Sequence, residues 1–261
     1  MDSHRFEHSL KKGCRCSLKS LVLSYHRRGF TVVELMVTIA IAAMLTSILM
    51  PGLRAARESA NRIQCSSNLR QIGIAMHVYA LYNGERLPST IFDNSDTHMP
   101  QEMMALTTGT MADPATSYQW DGLGLLVGDP SRYLDDPHTV YCPCHHGNHD
   151  FGVYQDKIKK ESLERVYGNY HFIGDDDRET GRHRFQYDLS SETVLVVDGM
   201  REESDLNHID GTNTLRGDAS VRWWHDGNLR LRHAFTETTT DNPPPPLTYQ
   251  ELWKFFARPV Q

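Results

Sequence analysis

Residues Phe30 to Met50 form a run of twenty-one positions, FTVVELMVTIAIAAMLTSILM, in which Glu34 is the only charged side chain. A bilayer core of about 30 Å is crossed by roughly twenty apolar residues rising 1.5 Å each, so the run is long enough to span. His26-Arg27-Arg28 abuts its front and Pro51 follows it, an arrangement unlike the shorter apolar core and small-residue cleavage site of a secretory signal. Positive charge on the N-terminal side predicts a cytoplasmic leader and a body on the other side of the membrane. A plain anchor explains the length and the flanking charges. It leaves Glu34 unexplained, because a carboxylate within such a helix costs a few kcal/mol unless it finds a partner.

The body is large enough to build a core of its own, since the chain has 261 residues of which 39% are hydrophobic and 23% charged. The formal charge of −6 hides an asymmetry. Residues 1–29 hold seven Lys/Arg against two Asp/Glu, which leaves twenty basic and thirty-one acidic side chains, a charge of −11, in the remainder. An acidic body argues against nucleic acid as a partner. Of the five cysteines, Cys14 and Cys16 precede the apolar run, so Cys65, Cys142 and Cys144 permit at most one internal bridge.

After Pro51, Leu53, Ala56, Ala60 and Ile63, and then Cys65, Leu69, Ile72, Met76 and Tyr79, recur at three- and four-residue spacing. The spacing predicts an amphipathic helix with a change of phase near Ser66-Ser67 and an end at Asn83-Gly84. Glu192 to Val197 reads as a buried strand closed by Asp198-Gly199, and Asn213–Arg216 with Ser220–Trp224 as two strands joined at Gly217-Asp218. Val166–Phe172 and Arg184–Tyr187 are weaker strand candidates. Ser89 to Asp136 reads as long loops with short helical turns around Gln101–Leu106 and Gly122–Leu126. Pro243 to Pro246 reads as a stiff spacer, followed by a short terminal helix with Tyr249, Leu252, Trp253 and Phe256 on one docking face. The expected fold class is therefore α+β: a long N-terminal helix, half membrane-spanning and half amphipathic, packed on a head built around an antiparallel sheet.

Three places offer chemistry, each with a plain structural reading beside it. Tyr141-Cys-Pro-Cys-His-His-Gly-Asn-His-Asp150 brings two thiols and three imidazoles into a short stretch, and Cys142, Cys144, His145 and His149 can supply tetrahedral zinc ligands. The same cysteines can form a disulfide, with Cys65 or with each other, or sit in an ordinary loop. Gly174-Asp-Asp-Asp-Arg-Glu179 can offer oxygen ligands to calcium, although it lacks a spaced ligand register and acidic runs are usually solvated turns. His208 and Asp218 can be read as an acid/base pair, or as a turn carboxylate and a clamping imidazole. No nucleophile-elbow, zinc-protease or phosphate-cradling pattern is present in the sequence.

Gly29-Phe-Thr-Val-Val-Glu34-Leu, with basic residues before the glycine, resembles the processing site of the type IV pilin-like family, the pilins and the pseudopilins of type II secretion. The resemblance implies cleavage by a membrane prepilin peptidase between Gly29 and Phe30, methylation of the new amino terminus, and pairing of Glu34 with the N-terminal amine of a neighbouring subunit in a filament. It also implies a kinked or locally melted helix near Pro51 and a helix on the order of 80 Å from Phe30 to about Tyr82. RESANRIQCSSNLRQIGIAMHVYALYNGERLP is similar to a subset of that family with a C-terminal H-x9-D-G motif. That motif stands here as His208 and Asp218 with nine residues between them, followed by Ala219 in place of glycine.

The domains expected on this basis are a basic leader at 1–29, the membrane and assembly helix at 30–50, the amphipathic helix at 51–84, the head at 85–242, and the spacer and terminal helix at 243–261. The resemblance implies a structural subunit with no chemistry of its own, anchored in the inner membrane with its head outside. Its partners would be the peptidase and other pilin or pseudopilin subunits. It implies no definite cofactor, zinc and calcium standing only as possibilities of the residues. The competing expectation is a membrane-anchored surface protein whose head binds a metal, for hydrolysis or for holding a substrate.

Overall fold

The computed structural model describes residues 29–91, 100–108, 119–128, 133–147, 149–159, 164–177, 182–199, 206–208, 210–227, 253 and 256. The leader, with Cys14 and Cys16, the Pro243–Pro246 spacer, Tyr249 and Leu252 lie outside these. Two compact units divide the chain, one ending at Met50 and one running from Pro51 to Gln261.

Helix α1 runs from Val32 to Tyr82. Its start is specified locally: the Glu34 carboxylate accepts from the Thr31 amide (2.9 Å) and hydroxyl (2.8 Å), and the Thr31 hydroxyl accepts from the Glu34 amide (3.2 Å). This is a capping box, in which each side chain satisfies the other residue's otherwise orphaned amide. Its end is as well defined. Gly84 takes φ +67° and the Glu85 amide reaches back to the Ala80 carbonyl at 2.8 Å, the glycine-closed Schellman arrangement. Between them the helix passes Pro51 without interruption.

In the first unit, every side chain from Gly29 to Met50 is exposed, including Phe30, Val33, Leu35, Ile39 and Leu45. An apolar stretch left wholly unpacked by its own chain is material for lipid or for other helices.

The second unit is organised by the face of α1 that carries Cys65, Asn68, Leu69, Ile72, Gly73, Met76 and Ala80, a stripe with the three- and four-residue recurrence of a core-facing helix. Against it lies a four-stranded antiparallel sheet in the order β1-β4-β5-β6, made of Tyr170–Phe172, Val194–Asp198, Gly211–Arg216 and Val221–His225. Asp176–Asp177 (β2) and Arg182–His183 (β3) pair as a separate ribbon. Leu69, Ile72 and Met76 share one core with Tyr170, Phe172, Leu195, Val196 and Leu215. On the opposite face Val194 and Val197 meet Phe256, Leu206, Trp224 and Trp253, and the Trp253 indole donates to the Val194 carbonyl (3.0 Å). Of the expected docking face, Phe256 thus lies on the side of the sheet away from α1, while Trp253 packs against both clusters. A bulge between Val194 and Val196 resets the alternation of β4, so that Val196 and Asp198 face the helix while Val194 and Val197 face away.

The β4, β5 and β6 readings fall where the sequence put them. Two other expectations change. Arg184–Tyr187 is not a strand: Phe185 makes a single bridge to Arg86, stacks on Tyr187 and leads into a 3-10 turn at Gln186–Asp188. The helix is also not melted at Pro51, and it stays continuous through the change of phase near Ser66-Ser67. Leu53 and Ile63 are exposed, so only the phase beginning at Cys65 has to meet the core, and no kink is required to turn both stripes inward. The short helical turns appear at Pro100–Met104 and as α2, Gly124–Gly128, while α3 spans Phe151–Lys159.

Candidate functional site

Two groups of residues are candidates for a functional site, one in each unit. In the first, Gly29 and Phe30 immediately precede the capping box, and Glu34 sits in the opening turn of α1 rather than deep within it. The pattern Thr31-Val-Val-Glu34 is an S/T-x-x-E signature legible in the sequence. It gives the carboxylate a partner within its own chain.

In the second unit, four distant segments converge under the sheet. Cys65 comes from α1, Cys142 and Cys144 from the loop after the 3-10 turn Pro137–Val140, Asp198 from the end of β4, and His208 from the approach to β5. Ligand atoms of Cys65, Cys142, Asp198 and His208 lie within 4.8 Å of one another, and so do those of Glu58, Cys144 and His208. Cys65 Sγ donates to Asp198 Oδ1 at 2.6 Å and lies 3.3 Å from the Tyr170 hydroxyl. Asp198 Oδ2 accepts from the Asn213 amide at 2.9 Å. His208 stands between two carboxylates, with Nδ1 2.9 Å from Glu58 Oε1 and Nε2 3.4 Å from Asp198 Oδ2. The three cysteines are free thiols.

Burial sets the electrostatics here. For His208, burial alone would lower the pKa, but Asp198 and the thiols outweigh it and the imidazole is held well above its ordinary range. Burial pushes the Cys142 thiol far up, reinforced by its contacts with Cys144 and Cys65. Cys144 moves the other way, to about 5, through its hydrogen bond with Cys142, against burial and with help from His208. The two neighbouring thiols are thus driven in opposite directions.

The loop carrying the two cysteines is held by asparagines. Asn68 Nδ2 donates to the Tyr141 carbonyl (3.2 Å), Asn169 Oδ1 accepts from the Cys142 amide (3.1 Å) while its Nδ2 donates to the His149 carbonyl, and Asn207 Nδ2 donates to the Asn169 carbonyl (3.4 Å). His145 and His149 turn away from the sulfurs: His145 Nδ1 is 2.9 Å from Asn207 Oδ1, and His149 Nδ1 is 2.9 Å from the Tyr154 hydroxyl. The structure thus brings together Cys142 and Cys144 of the zinc-ligand reading, and supplies Cys65, Asp198, Glu58 and His208 where sequence spacing had offered His145 and His149. These partners come from segments up to 150 residues apart, a separation that no local spacing can report.

His208 and Asp218 do not face one another. His208 is buried against Glu58 and Asp198, while Asp218 sits exposed in the β5–β6 turn, where its carboxylate accepts from the Ser220 amide at 2.9 Å and is held below the usual carboxylate range by the Ser220 side chain and amide. Ala219 follows with φ +60°, a left-handed position that favours glycine. In the acidic stretch after Gly174, Asp175 is paired with Arg86 at 2.8 Å, and Asp176 and Asp177 form β2. Arg178 and Glu179 lie outside the described residues.

Comparison with known proteins adds to this geometry. Residues 25–50 match the prokaryotic N-terminal methylation motif, and residues 54–123 match a family described as of unknown function, DUF1559. The type II secretion system core protein G of Klebsiella pneumoniae is 30% identical over 124 residues, a match covering 48% of this chain and 81% of that protein. That of Klebsiella michiganensis is 31% identical over 135 residues, covering 51% and 86%. The chain belongs to the type II secretion core protein G family of pseudopilins. A further member from Pectobacterium carotovorum is 34% identical over 108 residues; this chain spans 63% of its length, with 41% of its own. No solved structure matches. Within this pseudopilin-family chain, the methylation motif overlies the exposed apolar segment, where the one described helix long and apolar enough to cross a membrane, Val32–Tyr82, begins.

Proposed function

We propose that this chain is a prepilin-like structural subunit, anchored in the inner membrane by residues 30–50 and assembled with other pseudopilins into the filament of a type II secretion system. The prepilin peptidase is proposed to cut between Gly29 and Phe30 and to methylate the new amine, with the head, Pro51 onward, on the outer side of the membrane. Glu34 is the assembly residue. Its carboxylate meets the N-terminal amine of a neighbour, in surroundings where an unpaired charge is costly.

The observation that carries this reading is the coincidence of the methylation motif with an exposed apolar helix start. Both hydrophobic clusters of the second unit are made of its own residues and include none of that stripe, which leaves it available for lipid and for neighbouring subunits.

The test is the N-terminus of the mature protein from its own host together with the Glu34→Gln variant. Glutamine keeps a capping box but removes the charge. Mass analysis is expected to give N-methylated Phe30 in both proteins, with incorporation of Glu34→Gln into filaments reduced tenfold or more. A mature chain beginning elsewhere overturns the processing, and full incorporation of the glutamine variant overturns the charge pairing.

A further inference from the structure

We infer that the cluster beneath the sheet is a zinc site, with Cys65, Cys142, Asp198 and His208 as its four ligands. Two thiolates, an imidazole and a carboxylate make a donor set suited to zinc rather than to calcium or magnesium, which take oxygen.

The geometry of His208 points most directly to a cation. A carboxylate only accepts hydrogen bonds, so Glu58 at 2.9 Å fixes the proton on Nδ1. That leaves Nε2 aimed at Asp198 and the two sulfurs. Nε2 makes no hydrogen bond among the described residues, with only the longer 3.4 Å approach to Asp198 Oδ2, and the His208 side chain is fully buried. A carboxylate bonded to one ring nitrogen while the other faces thiols and a second carboxylate is the arrangement that orients histidines on zinc. Asp198 is likewise fixed from behind by the Asn213 amide. Trp223 packs edge-on against the His208 ring at 5.4 Å, and the Arg62 guanidinium covers that tryptophan at 4.1 Å. The site is therefore shielded from water, as a structural rather than a catalytic zinc would be.

Binding is balanced by protons: one Zn²⁺ enters as the Cys65 and Cys142 thiols and the Nε2 position of His208 release theirs. Tetrahedral zinc holds a sulfur about 3.6 Å from a ligand carboxylate oxygen, given bonds near 2.3 and 2.1 Å. Cys65 Sγ and Asp198 Oδ1, now 2.6 Å apart, separate by about 1 Å when the ion enters.

Cys144 sits beside the site, 3.7 Å from Glu58, and is not one of the four. The role assigned to the metal is to pin α1, through Cys65, to the cysteine loop and to β4. It is independent of filament assembly and stands or falls separately from the processing at Phe30.

The test uses the full chain, purified in detergent without chelator and assayed for zinc by elemental mass spectrometry. About one zinc per chain is expected, falling tenfold or more in Cys65→Ser and remaining in Cys144→Ser. Because a buried serine can unfold the head, unmodified protein stripped of metal and loaded with cobalt is the second readout. A thiolate-to-cobalt charge-transfer band is expected, lost on adding zinc. Three results overturn the proposal: zinc below a tenth of an equivalent with no cobalt band, a Cys65–Cys142 disulfide seen as a mass two hydrogens short under denaturing non-reducing conditions, or zinc lost from Cys144→Ser in a folded head.

Discussion

At the scale of single residues, Asp121 shows how burial turns a side chain into a pH sensor of stability. Its carboxylate accepts from the Ile91 amide (2.7 Å) and the Thr90 hydroxyl (3.2 Å), yet burial outweighs both and raises its pKa to about 7. Because the folded form then binds a proton that the unfolded form has already lost, the stabilisation is complete below about pH 4 and disappears as pH rises through 7. Chemical denaturation between pH 4 and 8 is therefore expected to show the head losing on the order of 1–4 kcal/mol. Asp121→Asn, which keeps an acceptor for the Ile91 amide, is expected to flatten that slope. A slope unchanged in the variant would place the titration elsewhere.

At the scale of elements, α1 packs tightly against the β5–β6 hairpin at Gly73. A Cβ there would lie 2.8 Å from Leu215 Cδ1 and 3.2 Å from Ala219 Cβ, and Leu215 is fully buried with little room to yield. Gly73→Val is expected to destabilise the head by about 1–3 kcal/mol through overpacking. Ala219→Gly removes one of the two obstructing groups and relaxes the left-handed turn, so the two changes should couple by at least about 0.5 kcal/mol in a double-mutant cycle read by thermal unfolding. Additive effects would mean that helix and hairpin yield independently.

These elements also mark what the sequence could and could not convey. Val194–Val197 and the hairpin at Gly217-Asp218 were legible because β-branched runs and turn residues act over a few positions. The stripe from Cys65 to Met76 was legible because helical spacing is local too. The capping box at Thr31–Glu34 was present as a pattern but overshadowed by the apolar run around it. The cluster joining Glu58, Cys65, Cys142, Asp198 and His208 could not be read, because a strand bulge and three asparagines decide which side chains meet. His145 and His149 lie closest in sequence to the cysteines, and hydrogen bonds to Asn207 and Tyr154 draw them off.

At the scale of the whole molecule, the second unit contains both hydrophobic clusters within its own residues. Residues 51–261 produced alone are expected to remain soluble without detergent and to unfold in one cooperative thermal transition, as circular dichroism would record. A fragment that aggregates or melts without cooperativity would show that the apolar stripe of the first unit contributes to the stability of the second.

The capping box has one more consequence for a chain cut before Phe30. The new amine would stand one residue from Thr31, whose amide and hydroxyl already occupy the Glu34 carboxylate. An incoming neighbour would then find a charge already tethered at home, and filament growth would be a partner exchange, in which a subunit surrenders a local hold on its own acid as it gains a foreign one.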